Sequence, residues 1–241
     1  MRIITVANQK GGTGKSTTAH ALVTGAAARG LHVLGVDFDP QGNLSFMMGA
    51  NMAGPGAYDL TQGRPARQVI QRTRHGDIIP GHMNIALIDK GGQLARALRP
   101  VAGAYDLVVI DSAPTLGAAL GNALEAATDI LIPMQADPLS LRGLAQIVEA
   151  ARHYNQGAAL LGVFLVKYSP RSIINRNMAD AIRDRCRDLG VPFIDTPIRE
   201  AVAVREAQLT QSSLFEYAPK SKPAADFAAL LDAIEIKAKG E

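Results

Sequence analysis

A glycine-rich turn between two lysines stands near the start of the sequence, in Lys10-Gly11-Gly12-Thr13-Gly14-Lys15-Ser16-Thr17. It follows an apolar, strand-like run at residues 3–7 and precedes a helix-like stretch, which is the setting of a phosphate-binding loop. Glycines let backbone N–H groups turn inward around phosphate oxygens, and the N-terminus of the next helix adds positive potential. The pattern predicts a P-loop in which Lys15 reaches the β- and γ-phosphates and Ser16 ligates Mg²⁺.

The loop departs from the usual P-loop spacing at one position. That spacing places a glycine five residues before Gly14, where this sequence has Gln9. A variant that carries an additional lysine, Lys10, at its start fits instead. The candidate nucleotide-binding residues are Lys10, Gly11, Gly12, Thr13, Gly14, Lys15, Ser16 and Thr17, with Pro197 as a further candidate.

Two acidic segments end apolar, strand-like runs. Residues 107–111 end in Asp111, which matches the Walker B arrangement, and Asp37 ends the second run of the chain, with Asp39 just after it. Because the carboxyl ends of parallel strands share one edge of a sheet, these carboxylates are expected near the phosphates. We predict that Ser16, Asp37 and Asp111 hold the metal, whereas Asp39 is catalytic and orients or deprotonates the attacking water. A turn with helix-capping aspartates is the alternative for residues 37–43.

Short apolar runs alternate with longer helical patterns along the chain. This alternation predicts an α/β fold, a mostly parallel twisted sheet flanked by helices, of the P-loop NTPase type. The predicted strands are residues 3–7, 32–37, 107–111, 130–133, 160–167 and 193–195. The predicted helices are residues 16–29, 116–126, 139–154, 174–189 and 224–236. We find no internal repeat or linker, so one domain over residues 1–241 is expected.

Residues 47–99 form the least regular part of the sequence. They hold seven basic residues, which are Arg64, Arg67, Arg72, Arg74, Lys90, Arg96 and Arg99, against Asp59, Asp77 and Asp89. We interpret this region as an elaboration of the same domain that carries a positive face.

The composition excludes several classes of protein. Hydrophobic residues make up 47% and charged residues 20%, which is ordinary for a soluble domain. No apolar run approaches the roughly 20 residues of a membrane-spanning helix, and no signal region leads the sequence, so a cytoplasmic protein is expected. With Cys186 as the only cysteine, an intramolecular disulfide and a cysteine-only metal or cluster site are excluded. The net charge of +3 permits an anionic partner such as DNA without requiring one.

Taken together, these motifs resemble the ParA/Soj family of DNA-partitioning ATPases, within the ParA–MinD group of deviant Walker-type P-loop ATPases. The family's opening motif matches residues 8–17, its second motif residues 37–43 and its third residues 110–117. Residues 132–137 and 143–144 look like the family's segment after the fourth strand. The sequence begins almost at the first predicted strand, so the N-terminal helix-turn-helix region of larger relatives, and site-specific operator binding, are not expected.

The resemblance implies an enzyme that hydrolyses ATP to ADP and phosphate with Mg²⁺ and forms an ATP-dependent sandwich homodimer. It also implies nonspecific binding to double-stranded DNA on the nucleoid. A ParB-like partner that stimulates hydrolysis would then allow segregation of a plasmid, chromosome or other DNA cargo. Lys10 resembles the signature lysine that crosses the dimer interface to the partner's phosphates, where a second cation would aid phosphoryl transfer. Without the dimer, Lys10 is expected to lack a partner anion, and Asp137 is a candidate to contact the opposing Lys10.

Small members of the family bind DNA through basic residues in their C-terminal half. Candidates at matching positions are Arg199, Lys220 and Lys222, with Arg171, Arg176 and Arg205 as neighbours, and of these neighbours Arg171 is also a DNA-binding candidate. Contacts from Arg and Lys to phosphates are strong, salt-sensitive and blind to sequence. The chain has no Trp and only 5% aromatic residues, which disfavours stacking on single-stranded bases.

A MinD-like, membrane-associated positioning ATPase is the main alternative, and it would need an amphipathic C-terminal membrane helix. Phe227, Leu230, Leu231 and Ile234 form an apolar stripe at helical spacing. The polar side of this helix carries Asp226, Asp232 and Glu235, which match anionic lipid poorly. We therefore interpret the stripe as core packing and expect no membrane partner.

Overall fold

An eight-stranded sheet runs through the centre of the molecule, in a computed structural model that describes residues 1–238. Its strands are β1 (Arg2–Val6), β2 (Val33–Phe38), β3 (Gln71–Thr73), β4 (Gly76–Ile79), β5 (Leu107–Ser112), β6 (Asp129–Gln135), β7 (Ala159–Tyr168) and β8 (Ile198–Arg199). Ten α-helices are described: α1 (Lys15–Ala28), α2 (Asn43–Met47), α3 (Ala57–Thr61), α4 (Gln93–Leu98), α5 (Ala118–Glu125), α6 (Pro138–Tyr154), α7 (Ile173–Leu189), α8 (Val202–Leu209), α9 (Leu214–Tyr217) and α10 (Lys222–Ala233).

The strand order across the sheet is β3-β4-β2-β5-β1-β6-β7-β8, and all pairs are parallel except the β3–β4 hairpin. This confirms the predicted fold class. The chain's first strand lies between β5 and β6, where the direction of strand progression reverses. Ligands of open α/β sheets bind in the crevice beyond the carboxyl ends of strands at such a reversal. The loop that follows β1 lies at this point.

Helices cover both faces of the sheet, so its central strands are almost wholly apolar. One face packs against α1 and α10, and the other packs against α4 to α7. The approach of α1 to α10 depends on Gly25, where a Cβ atom would lie 2.5 Å from Leu231 Cδ1. A larger residue at this position would force the side chains of Leu231 and Phe215 to shift. The helix that starts at the candidate phosphate loop is therefore fixed on the sheet.

The last strand differs from the sequence-based prediction. Residues 193–195 form only an isolated bridge, between Phe193 and Val163, and the final strand is Ile198–Arg199. Pro192 and Pro197 flank the predicted segment, and proline has no N–H to donate to a ladder. The prediction of a strand at residues 193–195 was therefore wrong. Most of the other predicted strands and helices end within about two residues of the observed ones, which is the usual uncertainty of element boundaries.

The irregular region at residues 47–99 contributes two strands to the sheet. β4 pairs in parallel with β2, and β3 turns back along β4 as the outer strand. Neither strand was predicted, because β4 has only two large apolar residues, Ile78 and Ile79, and β3 has none. The seven basic residues of this region are all exposed, as expected of a positive face.

The apolar stripe of α10 and the residue after it faces inward. Phe227, Leu230, Leu231 and Ile234 are at most 2% exposed and pack in the core that includes α1. Core packing of this stripe is confirmed, and Asp232 and Glu235 are exposed as expected, but Asp226 of the predicted polar side is buried. Over residues 1–238, no helix is long and apolar enough to cross a membrane.

Candidate active site

The phosphate loop connects β1 to α1 in a conformation that depends on glycine. Gly12 and Gly14 have φ angles of +75° and +76°, which other residues seldom adopt. Asn8 fixes the start of the loop, because its Nδ2 donates to the Pro133 carbonyl (2.7 Å) and its Oδ1 accepts from Lys10 N (3.0 Å). The loop is thus tied to the neighbouring strand β6.

Lys15 is the first residue of α1 and is buried beneath the loop. Its Nζ donates to the Lys10 carbonyl at 3.4 Å. Burial lowers the pKa of Lys15, while the nearby carboxylates of Asp111 and Asp39 act in the opposite direction. Its ammonium group therefore lies between the loop and the acidic residues, where a phosphate oxygen would be held.

Asp111 and Asp37 lie side by side, at paired positions of β5 and β2, and both are fully buried. Burial raises the pKa of Asp111 well above its usual value, and repulsion from Asp37 adds to this. The Ser16 hydroxyl is near enough to favour the charged form of Asp111. Even so, neither of its carboxylate oxygens makes a hydrogen bond of normal geometry with any residue between 1 and 238.

An unpartnered, buried carboxylate beside a hydroxyl fits a cation site. Carboxylate and hydroxyl oxygens are the protein ligands that Mg²⁺ takes, and it commonly keeps several waters as well. A divalent ion near Asp111 and Ser16 would offset the penalty of burying this charge. The two residues thus provide the chemistry that the sequence predicted for the metal.

Asp37 is turned toward the protein instead. Its Oδ2 accepts from both the amide (2.8 Å) and the hydroxyl (2.6 Å) of Ser45, and its Oδ1 accepts from Asp39 N (3.2 Å). Burial raises its pKa to about 6, against the effect of these bonds. Asp37 suits an outer position in a metal shell, and it also caps α2 through Ser45. The metal-supporting and helix-capping interpretations of this motif therefore apply to the same carboxylate.

Asp39 lies in a turn after β2 and is 5% exposed. Its Oδ1 accepts from Gln41 N at 3.0 Å, and its carbonyl accepts from Gly42 N. It lines a cavity of about 600 Å³ together with Gly12, Gly14 and Lys15. This volume is within the range of small-molecule sites. The structure thus brings the catalytic candidates Lys15 and Asp39 to one cavity with the loop.

A second cavity of about 260 Å³ adjoins the first on the side of β8. The two share the lining residues Gly14, Thr17, Lys167, Arg205 and Gln208. The lining from the β8 region begins at Ile198, so the predicted Pro197 lies one residue outside it. Apolar side chains of Val166, Ile198, Val204 and Phe227 form much of this second cavity.

Arg205 and Gln208 of α8 were not predicted as parts of the nucleotide site. Arg205 was expected near DNA, but its side chain lines both cavities. Gln208 Nε2 donates to Thr17 Oγ1 at 2.8 Å, which joins α8 to the start of α1. No local motif marks these two residues, because α8 reaches the loop only through the tertiary fold.

Lys10 forms an ion pair within its own chain. Its Nζ lies 2.6 Å from Asp137 Oδ2 and 3.4 Å from Ser140 Oγ, and both charged side chains are about 30% exposed. The expectation that Lys10 lacks an anion outside a dimer was therefore wrong. Burial raises the pKa of Asp137, but the hydrogen bonds from Lys10 and Ser140 outweigh it and hold that pKa below its usual value.

The predicted DNA-contacting residues fall into two groups. Arg171, Lys220 and Lys222 are exposed, and none of them forms an ion pair with an acidic residue of the described chain. Arg199 instead makes a two-pronged ion pair with Asp226, at 2.6 and 2.7 Å. Arg176 donates to the Pro170 carbonyl. The charge of Arg199 is thus already matched, which removes it from a free cationic surface.

Several other residues that hold the site together carry no motif of their own. Ser45 hydrogen-bonds to Asp37 and its hydroxyl accepts from Gly81 N at 2.7 Å, so it links β2 to the segment after β4. Gln135 Nε2 donates to the Gly12 carbonyl at 2.8 Å. The only signal in the sequence was the position of Ser45 and Gln135 within or beside matched motifs.

The first 158 residues match a family model described as an AAA domain. Among curated proteins, the chromosome-partitioning ATPase Soj of Thermus thermophilus is 33% identical over 230 residues, which cover 92% of this chain and 90% of the relative. The sporulation initiation inhibitor protein Soj of Bacillus subtilis is 32% identical and covers 99% of both chains.

Solved structures show the same fold with nucleotide bound. Cobyrinic acid a,c-diamide synthase from Mycobacterium smegmatis, with an ATP analogue and magnesium, is 29% identical and has a TM-score of 0.83 over 96% of this chain and 93% of its own. The septum site-determining protein MinD from Pyrococcus horikoshii, complexed with Mg-ADP, is 25% identical, with a TM-score of 0.80 over 97% and 96%.

Proposed function

This chain belongs to the ParA–MinD family of P-loop ATPases and hydrolyses ATP with Mg²⁺, and on that premise we propose that it is a nucleotide-switched DNA-segregation ATPase. ATP and Mg²⁺ drive two protomers into a dimer, and the dimer binds double-stranded DNA without sequence preference. A DNA-bound, ParB-like partner protein stimulates hydrolysis, which returns the protomers to the monomeric state. The cargo is a plasmid, a chromosome or another DNA element.

The position of Lys10 carries this proposal. Lys15 already supplies a buried cation to the phosphate loop, whereas Lys10 is partly exposed at the rim and pairs with Asp137. A second lysine that does not occupy its own site is available to the phosphates of a facing protomer. Leu139, 65% exposed and two residues beyond Asp137, is an apolar side chain that such a partner would cover.

Release of Lys10 from Asp137 requires little rearrangement. Asp137 Oδ1 accepts from the amides of Leu139 and Ser140, at 2.9 and 3.0 Å, and its Oδ2 also accepts from the Ser140 hydroxyl. The carboxylate therefore keeps three hydrogen bonds after the lysine leaves. Because a part-exposed ion pair contributes only about 1 kcal/mol or less, a triphosphate can outcompete it.

Within each protomer, different residues bind the phosphates, hold the metal and orient the attacking water. The loop amides and Lys15 bind the β- and γ-phosphates, while Ser16 and Asp111 hold the metal, with Asp37 fixed behind them by Ser45. Mg²⁺ supplies neutralisation of the charge that develops on the phosphates. Asp39 orients the attacking water or accepts its proton from the wall of the same cavity.

We place the DNA surface around the start of α10. Lys220 and Lys222 are exposed there, and Ser221 between them caps the helix. Arg171 lies before α7 and is a second candidate region. Arg199 is left out, because its guanidinium is held by Asp226.

The membrane alternative is less well supported. Its most direct sequence support was the apolar stripe of α10, and those side chains pack against α1 and the sheet. To expose them to lipid, α10 would have to leave the core, with the loss of a large buried apolar area.

Retention on DNA across a salt series tests the proposal. We expect retention of the wild-type chain on random-sequence duplex with ATP and Mg²⁺, and weak retention with ADP or without nucleotide. The double variant Lys220→Gln, Lys222→Gln should lower the slope of log affinity against log salt by about 2, because each phosphate contact contributes about 0.9.

The double variant Arg185→Gln, Arg187→Gln is the matched control, since it removes two exposed charges that are ion-paired on α7. Its salt slope should equal that of the wild type. Retention that ignores the nucleotide, or binding to anionic liposomes in place of DNA, would refute the DNA-segregation function.

A further inference from the structure

Lys167 has a backbone conformation that its residue type seldom adopts. Its φ angle is +51°, in the left-handed region that favours glycine. It is also the extra residue of a β-bulge, since Val166 pairs with Ile198 and Tyr168 pairs with Arg199, which leaves residue 167 without a partner on β8. Bulges near active sites re-aim side chains.

The bulge reverses which face of the sheet the side chains after Val166 point to. Val166 packs on the face of α1 and α10, and Tyr168 packs on the opposite face with α6 and α7. Residues two apart in a regular strand share one face, so the alternation is reset at Lys167. In a regular strand, residue 167 would follow Leu165 toward α6 and α7.

The re-aimed side chain reaches the phosphate loop. Lys167 Nζ donates to the Gly12 carbonyl at 3.0 Å, on the same oxygen that Gln135 contacts. Val166 also lies against the loop, because a Cβ atom at Gly14 would be 3.6 Å from its Cγ2. The end of β7 is therefore built around the loop, and an ammonium has two further N–H groups to donate.

We infer that Lys167 is a nucleotide-binding residue whose ammonium group contacts the α-phosphate and ribose end of a nucleoside di- or triphosphate. This inference rests on the nucleotide site proposed above. It deepens that site by adding a cation that the P-loop motif does not contain.

The location of Lys167 supports this part of the nucleotide. It lines both the cavity at the phosphate loop and the more apolar cavity beside β8. We place the β- and γ-phosphates of the nucleotide in the first cavity and its base in the second. Its α-phosphate and ribose then lie against the lining residues that the two cavities share. Lys167 and Arg205 are the two cationic residues of that shared lining.

Calorimetric titration of ADP with Mg²⁺ tests the inference, because ADP binding needs neither a dimer nor DNA. Lys167→Met keeps the length of the side chain and removes its charge. We expect its Kd for ADP to rise about tenfold, as for the loss of one charged hydrogen bond. Lys167→Gly should lose affinity similarly, while its melting temperature rises because glycine adopts positive φ without strain.

Lys90→Met is the matched control, since Lys90 is exposed and lies outside both cavities that flank the loop. Its Kd should equal that of the wild type. An unchanged Kd in Lys167→Met overturns the inference, as does a loss of affinity confined to Lys167→Gly. A wild-type chain that does not bind ADP would overturn the proposed nucleotide site as well, whereas failure of ATP-dependent DNA binding would leave the role of Lys167 intact.

Discussion

Replacement of Asp111 with asparagine should abolish most ATP hydrolysis and at the same time stabilise the metal-free protein. The variant keeps the shape of the side chain but loses the charge that we propose for holding Mg²⁺ with Ser16. A bound metal lowers a phosphoryl-transfer barrier by several kcal/mol, so we expect the rate to fall about 10²- to 10³-fold. The gain in stability arises because the carboxylate is fully buried beside Asp37 and lacks a hydrogen-bond partner among residues 1–238.

The gain in stability should depend on pH in a defined direction. Because burial raises the folded-state pKa of Asp111 above its ordinary 3.8, the folded protein holds this proton more tightly than the unfolded chain does. The contribution of Asp111 to the free energy of unfolding therefore becomes less favourable as pH rises above about 4, whereas an asparagine side chain at this position does not titrate. The difference between variant and wild type should grow from pH 4 to pH 7 and reach about 1–3 kcal/mol.

Urea unfolding in the presence of a chelator, at several pH values, measures the stability, and phosphate release measures the rate. Asp180→Asn is the control, because Asp180 is exposed and distant in sequence from the loop. A variant that is less stable than the wild type in chelator at pH 7 would contradict the cation site at Asp111, and so would a rate within about threefold of the wild type.

Replacement of Asp39 with alanine should separate dimerisation from hydrolysis. The Asp39 carboxylate lines the cavity, and within residues 1–238 its hydrogen-bond donor is Gln41 N of its own turn, so its removal leaves the backbone of the loop and the Lys10–Asp137 pair in place. Loss of a general base or water-orienting group typically costs about 10²- to 10⁴-fold in rate. We expect hydrolysis to fall by this factor while ATP affinity and ATP-dependent association persist.

Single-turnover hydrolysis and nucleotide titration on the same preparation give the two quantities. Asp89→Ala is a suitable control, because Asp89 is an exposed acidic residue that does not line either of the two cavities at the loop. Weakened ATP binding in Asp39→Ala, in proportion to its loss of rate, would show that Asp39 holds the nucleotide and would refute the catalytic role.

The core of the candidate site was predictable because its parts are local. The loop, the carboxylate at the end of β5 and the acidic turn after β2 each follow an apolar strand within one short segment. The parallel arrangement then places them at a single edge of the sheet. The burial of the α10 stripe was predictable from the helical spacing of its apolar residues, whereas Asp226, assigned to the polar side, is itself buried and pairs with Arg199.

The contacts that join distant segments could not be derived in the same way. Lys10 and Asp137 are 127 residues apart, and their pairing within one chain depends on how β6 lies beside β1. The sequence placed Arg205 among the DNA-binding candidates, whereas the packing of α8 beside Thr17 makes it line both cavities. The sequence predicts only that Lys167 ends a strand. A bulge depends on how two strands pair, so the hydrophobic pattern of one strand does not reveal it.

The Lys10–Asp137 pair gives the proposed switch a defined resting state. In the protomer, Lys10 is held by an anion of its own chain, and in the proposed dimer ATP across the interface would offer it a stronger one. Dimerisation should therefore require both the triphosphate and Lys10, whereas ADP, which lacks the γ-phosphate, should leave the pair in place.

Sedimentation velocity of the wild type and of Lys10→Ala, each with a non-hydrolysable ATP analogue or with ADP, tests ATP-dependent dimerisation most directly. We predict that the wild type sediments as a dimer with the ATP analogue and as a monomer with ADP, and that Lys10→Ala remains monomeric with both. The variant must still bind the analogue, because Lys15 and the loop are retained. A Lys10→Ala protein that dimerises like the wild type, or a wild type that has the same mass with both nucleotides, would contradict the proposed switch.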